Sequence, residues 1–400
     1  MVATDIRNDV DEIMPGVIAD RRHLHQHPEL AFEEHETAKL VAERLASLGV
    51  EDIRTGVGRT GVTGLIKGTG TGPGGDRVVL FRADMDALPI DEENEVDYKS
   101  TAPGKMHACG HDAHTAMLLG SARVLMDMRD RFAGTVKLLF QPAEEVPPGG
   151  AIEMIEDGAL EEPKVDAVFG LHAAAELPAG KIGVRDGVAS AGSDRFRLTI
   201  QGKGGHAARP NDSIDPVVVG AHIVTALQTL VSREVDPIGS AVVTVGSIVS
   251  GEAFNVIPDT AVLKGTVRTL DPEVRALIAE RLPALARGVG AAMRAEVDVW
   301  YFMGYPSMVN DPAMTSIVRE AATAVVGAEN VVESPVGMGG EDFARYLELR
   351  PGSFFRVGTR NEERNIVFGH HHPRFDVEEE GMAAGIATTV ETLVRYLNQP

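Results

Sequence analysis

The sequence has a single cysteine, Cys109, so it excludes an intrachain disulfide as a source of stability. Basic residues are also scarce, with 38 Lys and Arg against 59 Asp and Glu and a net charge of -21. This charge argues against nucleic acid as a partner, because binding the phosphate backbone needs a basic surface. No apolar run is long enough to cross a bilayer, and the first residues lack the layout of a signal peptide. We therefore predict a cytoplasmic protein that binds neither nucleic acid nor a membrane.

The length of the chain favours two domains, since 400 residues exceed the size at which one hydrophobic core usually stops growing. Up to about residue 187, strand patterns alternate with helix patterns, which is typical of an α/β fold with a mostly parallel sheet flanked by helices. The order of elements then changes to that of an α+β domain. We predict a catalytic domain formed by residues 1–187 and 303–400, with an inserted α+β domain at residues 188–302.

Polar residues of the metal-binding type follow three predicted strands. The strands lie at residues 78–81, 135–140 and 167–171, and the residues that follow them are Asp84 and Asp86, Glu144 and Glu145, and His172. In open α/β sheets, ligands bind beyond the carboxyl ends of the strands. These side chains are therefore expected to meet at one edge of the sheet. A further helix is predicted to begin at Glu341, before a strand at residues 353–357.

The segment Met106–His114 places three histidines, a thiol and a carboxylate within nine residues. Thiolate, imidazole and carboxylate are ligands of zinc and of neighbouring divalent metals, and a loop allows Cys109 and His111 to converge on one ion. The alternative is a small buried cysteine with surface histidines. The density of ligand types favours a metal site.

The adjacent carboxylates Glu144 and Glu145 point in different directions, so one can bind a metal while the other reaches the water that the metal activates. A solvated acidic pair is the alternative, and the position after an apolar strand argues against it. His172 and the cluster His370–His372 are weak signals individually, because either can be structural. Together they supply the distant ligands that a site with a local Cys-x-His pair still needs.

Seven ordered motifs give the chain a resemblance that covers nearly its whole length. They are Arg22–Leu30, Arg82–Pro89, Met106–His114, Gln141–Glu145, Gly204–Ala207, Asn255–Asp259 and Gly339–Phe343. With these motifs the sequence resembles the aminoacylase-like metallopeptidases, in the branch of hippurate hydrolase, indoleacetyl-amino-acid hydrolase and bacterial N-acyl-amino-acid amidohydrolases. In this family the first motif is a structural signature, so the resemblance favours a structural role for His23, His25 and His27.

The resemblance implies two divalent ions per subunit, and hydrolysis of an N-acyl amino acid or a related small amide. The implied ligands are Cys109, His111, Glu145, His172 and His371, the last chosen by the family pattern His-x-Pro. Glu144 would be the general base, and Asp84 and Asp86 would orient the ligands. Mixed sulfur, nitrogen and oxygen donors suit zinc or manganese, and cobalt also fits.

For the inserted domain, the resemblance implies pairing with a second copy in a homodimer or a higher homo-oligomer. His206 would reach the neighbouring subunit's site and stabilise the oxyanion. Asn255 would bind substrate, and Arg268 is a candidate for contact with the substrate carboxylate, although a surface arginine fits equally well. Relatives often have a bulky residue and a proline shortly after the metal histidine, whereas Ala173–Ala175 follow His172 here. This difference suggests a more open pocket wall, and it leaves the acyl preference undetermined.

Three other functions remain open from the sequence. Hydrolysis of dipeptides or aminoacyl compounds would use the same site. A cysteine hydrolase would use Cys109 as nucleophile with His111 or His114 as base. The third alternative is a metal-dependent binding protein without catalysis. The pairing of Glu144 with Glu145 argues against it, because a site that only holds metal has no need for the second carboxylate.

Overall fold

The structure is a computed structural model that describes residues 2–399, with side chains described from Ile6 onward. The chain divides into two compact units. The first unit comprises Met1–Ala189, Val309–Pro335 and Asp342–Pro400, and the second comprises Ser190–Met308 and Val336–Glu341. Among the described residues, no helix combines the length and apolar character that crossing a bilayer requires.

The helices are α1 (Val2–Gln26), α2 (His35–Leu48), α3 (His111–Asp127), α4 (Gly150–Glu156), α5 (Pro216–Thr229), α6 (Pro272–Ala292), α7 (Pro312–Val326), α8 (Ala344–Leu347) and α9 (Met382–Asn398). The strands are β1 (Glu51–Val57), β2 (Gly61–Lys67), β3 (Val78–Asp84), β4 (Thr135–Gln141), β5 (Ala167–Pro178), β6 (Ile182–Val184), β7 (Gly187–Ser190), β8 (Gly192–Gln201), β9 (Gly205–His206), β10 (Ala241–Val249), β11 (Val256–Ile257), β12 (Thr260–Thr269), β13 (Glu296–Tyr305), β14 (Met308–Asn310), β15 (Val331–Glu333) and β16 (Gly352–Arg360).

The first unit contains an eight-stranded sheet in the order β1-β2-β4-β3-β5-β16-β6-β15. Its centre, from β4 through β3 and β5 to β16, is parallel, whereas β1, β2 and β4 pair antiparallel. The central strands β3 and β4 are buried along almost their whole length, as expected for strands covered on both faces. Helices α1, α3 and α9 pack against one another beside this sheet. The predicted α/β class with a mostly parallel sheet is confirmed.

Local signals explain where several helices begin and end. Helix α2 ends at Leu48, because the next residue, Gly49, adopts a left-handed φ of 79°. Helices α5, α6 and α7 each begin with a proline, and the aspartate before it accepts backbone N–H bonds from the first turn with its side chain. The helix predicted from Glu341 is wrong in extent, because only the single turn α8 forms, from Ala344 to Leu347.

The second unit is an α+β unit with an antiparallel sheet in the order β10-β12-β8-β13. Helices α5 and α6 pack on this sheet around a core that includes Leu198, Ile223 and Leu282. A separate two-stranded pair, β9 and β11, places His206 opposite Val256.

Candidate metal centre

The Cys109–His111 loop lies at the start of α3, and its shape depends on Gly110. Gly110 has a φ of 92°, and a Cβ atom there would lie 3.1 Å from the Cβ of Ala173. A residue with a side chain would therefore be strained and crowded at this position. Because the chain turns at Gly110, Cys109 and His111 both contribute donor atoms to one cluster with His172.

Three overlapping groups of donor atoms form at the predicted edge of the sheet. In each group the ligand atoms lie within 4.8 Å of one another. The groups are Cys109, His111 and His172; Cys109, Glu145 and His371; and His111, Glu144 and Glu145. Two of these groups share Cys109 and two share His111. Together they contain more donor side chains than the coordination of a single ion needs. The structure thus brings together all five residues for which the resemblance implies metal ligation.

The histidines of the first group are oriented as metal ligands. His111 Nδ1 donates to the Asp86 carbonyl oxygen at 2.9 Å, and His111 Nε2 has no hydrogen-bond partner among the described residues. His172 Nδ1 donates to the Ala173 carbonyl oxygen at 2.7 Å, which leaves the Nε2 lone pair 3.5 Å from Cys109 Sγ. A ligand histidine usually donates its other N–H in this way. The donor set therefore fits a zinc, manganese or cobalt ion.

Asp86 holds the loop that carries the two adjacent glutamates. Its Oδ1 accepts the backbone N–H of Glu144 at 2.9 Å, and its Oδ2 accepts that of Glu145 at 3.0 Å. The same carboxylate lies 3.2 Å from His111 Nδ1. One buried side chain therefore fixes both the imidazole and the backbone from which the carboxylates project.

Asp84 is the last residue of β3, and its carboxylate is buried between cationic groups. Its Oδ2 accepts from Arg82 at 2.7 Å and lies 3.5 Å from His111 Nε2. Its Oδ1 accepts from His114 Nδ1 at 2.5 Å. His114 Nε2 in turn accepts the backbone N–H of Ala173 at 2.8 Å, so both ring nitrogens of His114 are engaged. His114 therefore supports the site through Asp84 and has no free nitrogen for a metal.

The three C-terminal histidines have distinct surroundings. His371 Nε2 lies 3.1 Å from Glu145 Oε1, and its backbone N–H donates to the Ala108 carbonyl oxygen at 2.7 Å. His370 Nε2 instead donates to the Ala173 carbonyl oxygen at 2.9 Å. His372 is exposed and stacks on Phe368. Only His371 of the three belongs to a donor group among the described residues.

Burial and neighbouring charges shift the pKa values of the donor side chains in different directions. Burial alone would lower the pKa of His111, but Asp84 and Asp86 raise it to about 10, so a cation at Nε2 has to displace a proton. Burial and the neighbouring His114 lower the pKa of His172 well below its usual value, which keeps this ring neutral. Burial would raise the pKa of Glu145, but the hydrogen bond from His371 and the charge of His111 lower it.

The thiol of Cys109 has the opposite surroundings to those of a nucleophilic cysteine. Burial, together with the negative charges of Glu145 and Glu144, raises its pKa well above the ordinary value. A cysteine nucleophile needs cationic neighbours that lower its pKa. A bound divalent cation would stabilise the thiolate, so these surroundings favour ligation over nucleophilic attack.

Two buried contacts near the site were not predicted from the sequence. Arg82 connects Asp84 to Asp342, whose Oδ1 accepts from Arg82 Nη2 at 2.8 Å. Glu34 accepts the backbone N–H of Ala143 at 2.9 Å, directly before the glutamate pair. Neither contact has a local signal, since the partners of the first are 260 residues apart and those of the second 109.

The expectation of an open pocket wall after His172 is wrong. Strand β5 does not end at Leu171 but continues to Pro178, so Ala173, Ala174 and Ala175 are strand residues and all are buried. Their small side chains therefore lie within the packed sheet region and provide no exposed wall.

The remaining predicted residues lie in the second unit. His206 is exposed, and its Nδ1 accepts the backbone N–H of Ala208 at 3.1 Å, which leaves the proton on Nε2. The carbonyl oxygen of Asn255 accepts the N–H of Ala207, so Asn255 is next to the His206 strand. Arg268 is half-buried on β12 and donates to Thr266 and to the Val267 carbonyl oxygen.

Comparison with known proteins decides the family. The model of peptidase family M20/M25/M40 matches residues 80–395 of the chain. The chain belongs to this family. The expectation from the resemblance is thereby confirmed, and the matched range includes all the residues of the three donor groups.

Individual relatives from the M20/M25/M40 family match this chain over almost its whole length. The N-acetyl-L-cysteine deacetylase of Bacillus subtilis is 42% identical over 96% of this chain and 88% of its own. Thermostable carboxypeptidase 1 of Saccharolobus solfataricus is 38% identical over 98% of each chain. The crystal structure of the Bacillus subtilis YXEP protein, described as a dinuclear metal-binding peptidase of the M20 family, has a TM-score of 0.84 at 37% identity and covers 98% of this chain and 99% of that one.

Proposed function

We propose that the chain is a metal-dependent amidohydrolase that cleaves the amide bond of N-acyl amino acids or similar small amides. The observation that supports this most strongly is the overlap of the donor groups at Cys109 and His111, one of which includes both Glu144 and Glu145. The proposed ligands of two divalent ions are Cys109, His111, Glu145, His172 and His371. Asp84 and Asp86 orient them.

Two divalent cations, when bound, lower the pKa of a water molecule and polarise the amide carbonyl. Glu144 accepts a proton from the attacking water and delivers it to the departing amine nitrogen. The buried position of Glu144 supports this role, because few water molecules compete for its carboxylate. Asp86 keeps Glu144 in place through the backbone bond, and His172 and His111 present fixed tautomers.

In the proposal the second unit mediates a homodimer, and His206 completes the site of the neighbouring subunit. Oxyanion stabilisation needs a hydrogen-bond donor, and the Nε2 proton of His206 meets that need. Asn255 binds substrate beside it. The support for Arg268 as the residue that contacts the substrate carboxylate is weaker, since its guanidinium already donates to Thr266.

The substrate class rests on the relatives. The name of the deacetylase specifies an N-acetyl amino acid, and the carboxypeptidase is named for cleavage of peptides. Both substrates contain an amide next to a carboxylate, so one site can act on either. We propose N-acyl amino acids first, with dipeptides as the second candidate. A cytoplasmic location, and zinc or manganese as the native metal, complete the proposal.

A hydrolysis screen with the metal-reconstituted protein tests this function. The substrates are N-acetyl, N-benzoyl and indoleacetyl amino acids and a set of dipeptides, and free amino acid is measured. We expect cleavage of at least one N-acyl amino acid, loss of activity with EDTA and recovery with added zinc, manganese or cobalt. No cleavage of any substrate would contradict the proposal. Activity that survives EDTA but is lost on thiol alkylation would instead support a cysteine nucleophile.

A further inference from the structure

A buried ionic cluster lies at the C-terminal end of α1, next to the donor groups. We call it the Arg21 cluster, and it consists of Arg21, His25, Glu92, Asp112, Asp376 and Glu379. The side chains of Arg21, His25 and Asp112 are fully buried, with 0% exposure. Charged groups at such depth are stable only when they are paired, so this cluster fixes the positions of all its members.

One side of the cluster holds the segment that carries His111. Asp112 follows His111 directly in the first turn of α3. Its Oδ2 accepts from Arg21 Nε at 2.9 Å and from His25 Nδ1 at 2.8 Å. Two donors from α1 therefore fix the residue next to a proposed ligand.

The opposite side of the cluster holds the C-terminal loop that carries His371. Arg21 Nη2 donates to Asp376 Oδ1 at 2.7 Å, and Tyr98 donates to Asp376 Oδ2 at 2.8 Å. Between His371 and Asp376 the loop is short and closed, because the N–H of Phe375 donates to the His372 carbonyl oxygen at 2.9 Å. A displacement of Asp376 would therefore be transmitted to His371.

We infer that Arg21 is a positioning residue for the metal centre, because its single guanidinium fixes the segments carrying His111 and His371 relative to each other. The inference rests on the proposed ligand set. Among the described residues, Arg21 forms no hydrogen bond or ion pair with the side chain of His111 or His371; it acts through Asp112 and Asp376. Removing it leaves the two carboxylates without their common partner, and each segment gains freedom to move.

The neighbouring Arg22 provides a matched control. Its guanidinium also donates to Glu379, at 2.8 and 2.7 Å, but its side chain is 42% exposed and the contact does not include Asp112 or Asp376. Arg22→Gln thus removes an arginine–carboxylate pair from the same helix end and leaves the connection between the two ligand segments intact.

The test measures the affinity of the full-length, chelator-treated protein for cobalt(II) alone, by competition with a chromophoric chelator, together with the visible absorption of the bound cobalt. For Arg21→Gln we expect affinity to fall about 10- to 100-fold, as for other residues that orient metal ligands, and the cobalt bands to shift. For Arg22→Gln we expect affinity within about threefold of the unsubstituted protein and unchanged bands.

The outcomes separate this inference from the proposed function. If the unsubstituted protein binds no cobalt, the proposed metal centre is wrong. If that protein binds cobalt and folded Arg21→Gln binds it equally well with the same spectrum, the role of Arg21 is wrong. Should Arg21→Gln not fold, as judged by circular dichroism, Asp376→Asn serves instead. Asp376 is 12% exposed, and its substitution should still weaken cobalt binding about tenfold. Unchanged affinity in that variant would overturn the inference.

Discussion

At the scale of single residues, Glu144 and Glu145 have the same chemistry but different neighbours. The Glu145 carboxylate lies beside Cys109 and His371, where a cation would be held. Asp86 accepts both backbone N–H groups, so the two side chains start from a fixed backbone and cannot exchange places. This fixed backbone supports the proposed division, in which Glu145 binds metal and Glu144 acts as the base.

The C-terminal histidines predict which substitution removes metal, and the neighbouring histidines serve as controls. We expect His371→Ala to lose about one of the two ions, because His371 shares a donor group with Cys109 and Glu145. We expect His372→Ala to keep both ions, because His372 belongs to no donor group among the described residues. Metal content by mass spectrometry after gel filtration measures the effect. Full metal content in His371→Ala, or loss only in His370→Ala, would assign the ligand to another histidine.

At the scale of elements, His25 of α1 pairs with Asp112 of α3, and this contact depends on whether the His25 ring is protonated. Burial and Arg21 would lower the pKa of His25, but its hydrogen bonds to Asp112 and Glu92 raise it to about 8, from an ordinary value of 6.5. Because the folded protein favours the protonated ring, the contribution of His25 to stability is fully present below pH 6.5. It is lost as the pH rises through about 8.

This contact predicts a difference in the pH dependence of unfolding. His25→Gln should lower the free energy of unfolding by about 2 kcal/mol more at pH 6 than at pH 9. His27→Gln, at an exposed position on the same segment, should show no such difference. Denaturant titrations of the chelator-treated proteins measure both. An identical effect of His25→Gln at the two pH values would show that the ring is not charged in the folded protein.

The elements also show how far the sequence predicts the fold. The buried strands β3 and β4 have local signals, and the predictions of both strands are confirmed. Strand β5 was predicted too short because its continuation past His172 depends on pairing with β16, where His172 lies opposite Arg356. Local sequence contains no information on that pairing, since alanines alone do not favour a strand.

The sequence likewise predicts only part of the candidate site. Ligand types, their spacing and their positions after strands are local features, so the sequence indicated the residues that the structure brings together. The residues that hold them come from distant segments: Arg21 and Asp112 are 91 residues apart, and Arg82 and Asp342 are 260 apart. A buried arginine has no distinguishing local pattern, so its partners are known only from the fold.

At the scale of the whole molecule, the proposed dimer with shared sites predicts complementation. Glu144→Gln and His206→Asn should each be nearly inactive. After subunit exchange, a heterodimer would contain one site with both Glu144 and His206 intact. An equal mixture should therefore recover activity approaching about a quarter of the unsubstituted level, if subunits mix at random. An inactive mixture in which exchange is demonstrated by subunit labelling would show that His206 acts within its own subunit or not at all.

The central claim is that Glu144 transfers protons at a metal centre that it does not itself hold. The most direct test compares metal content and turnover in Glu144→Gln and Glu145→Gln, using whichever amide the unsubstituted enzyme cleaves fastest. We predict that Glu144→Gln keeps both ions while kcat falls at least about 100-fold, and that Glu145→Gln loses metal. Glu144→Gln with both ions and kcat within about tenfold of the unsubstituted enzyme would contradict the account.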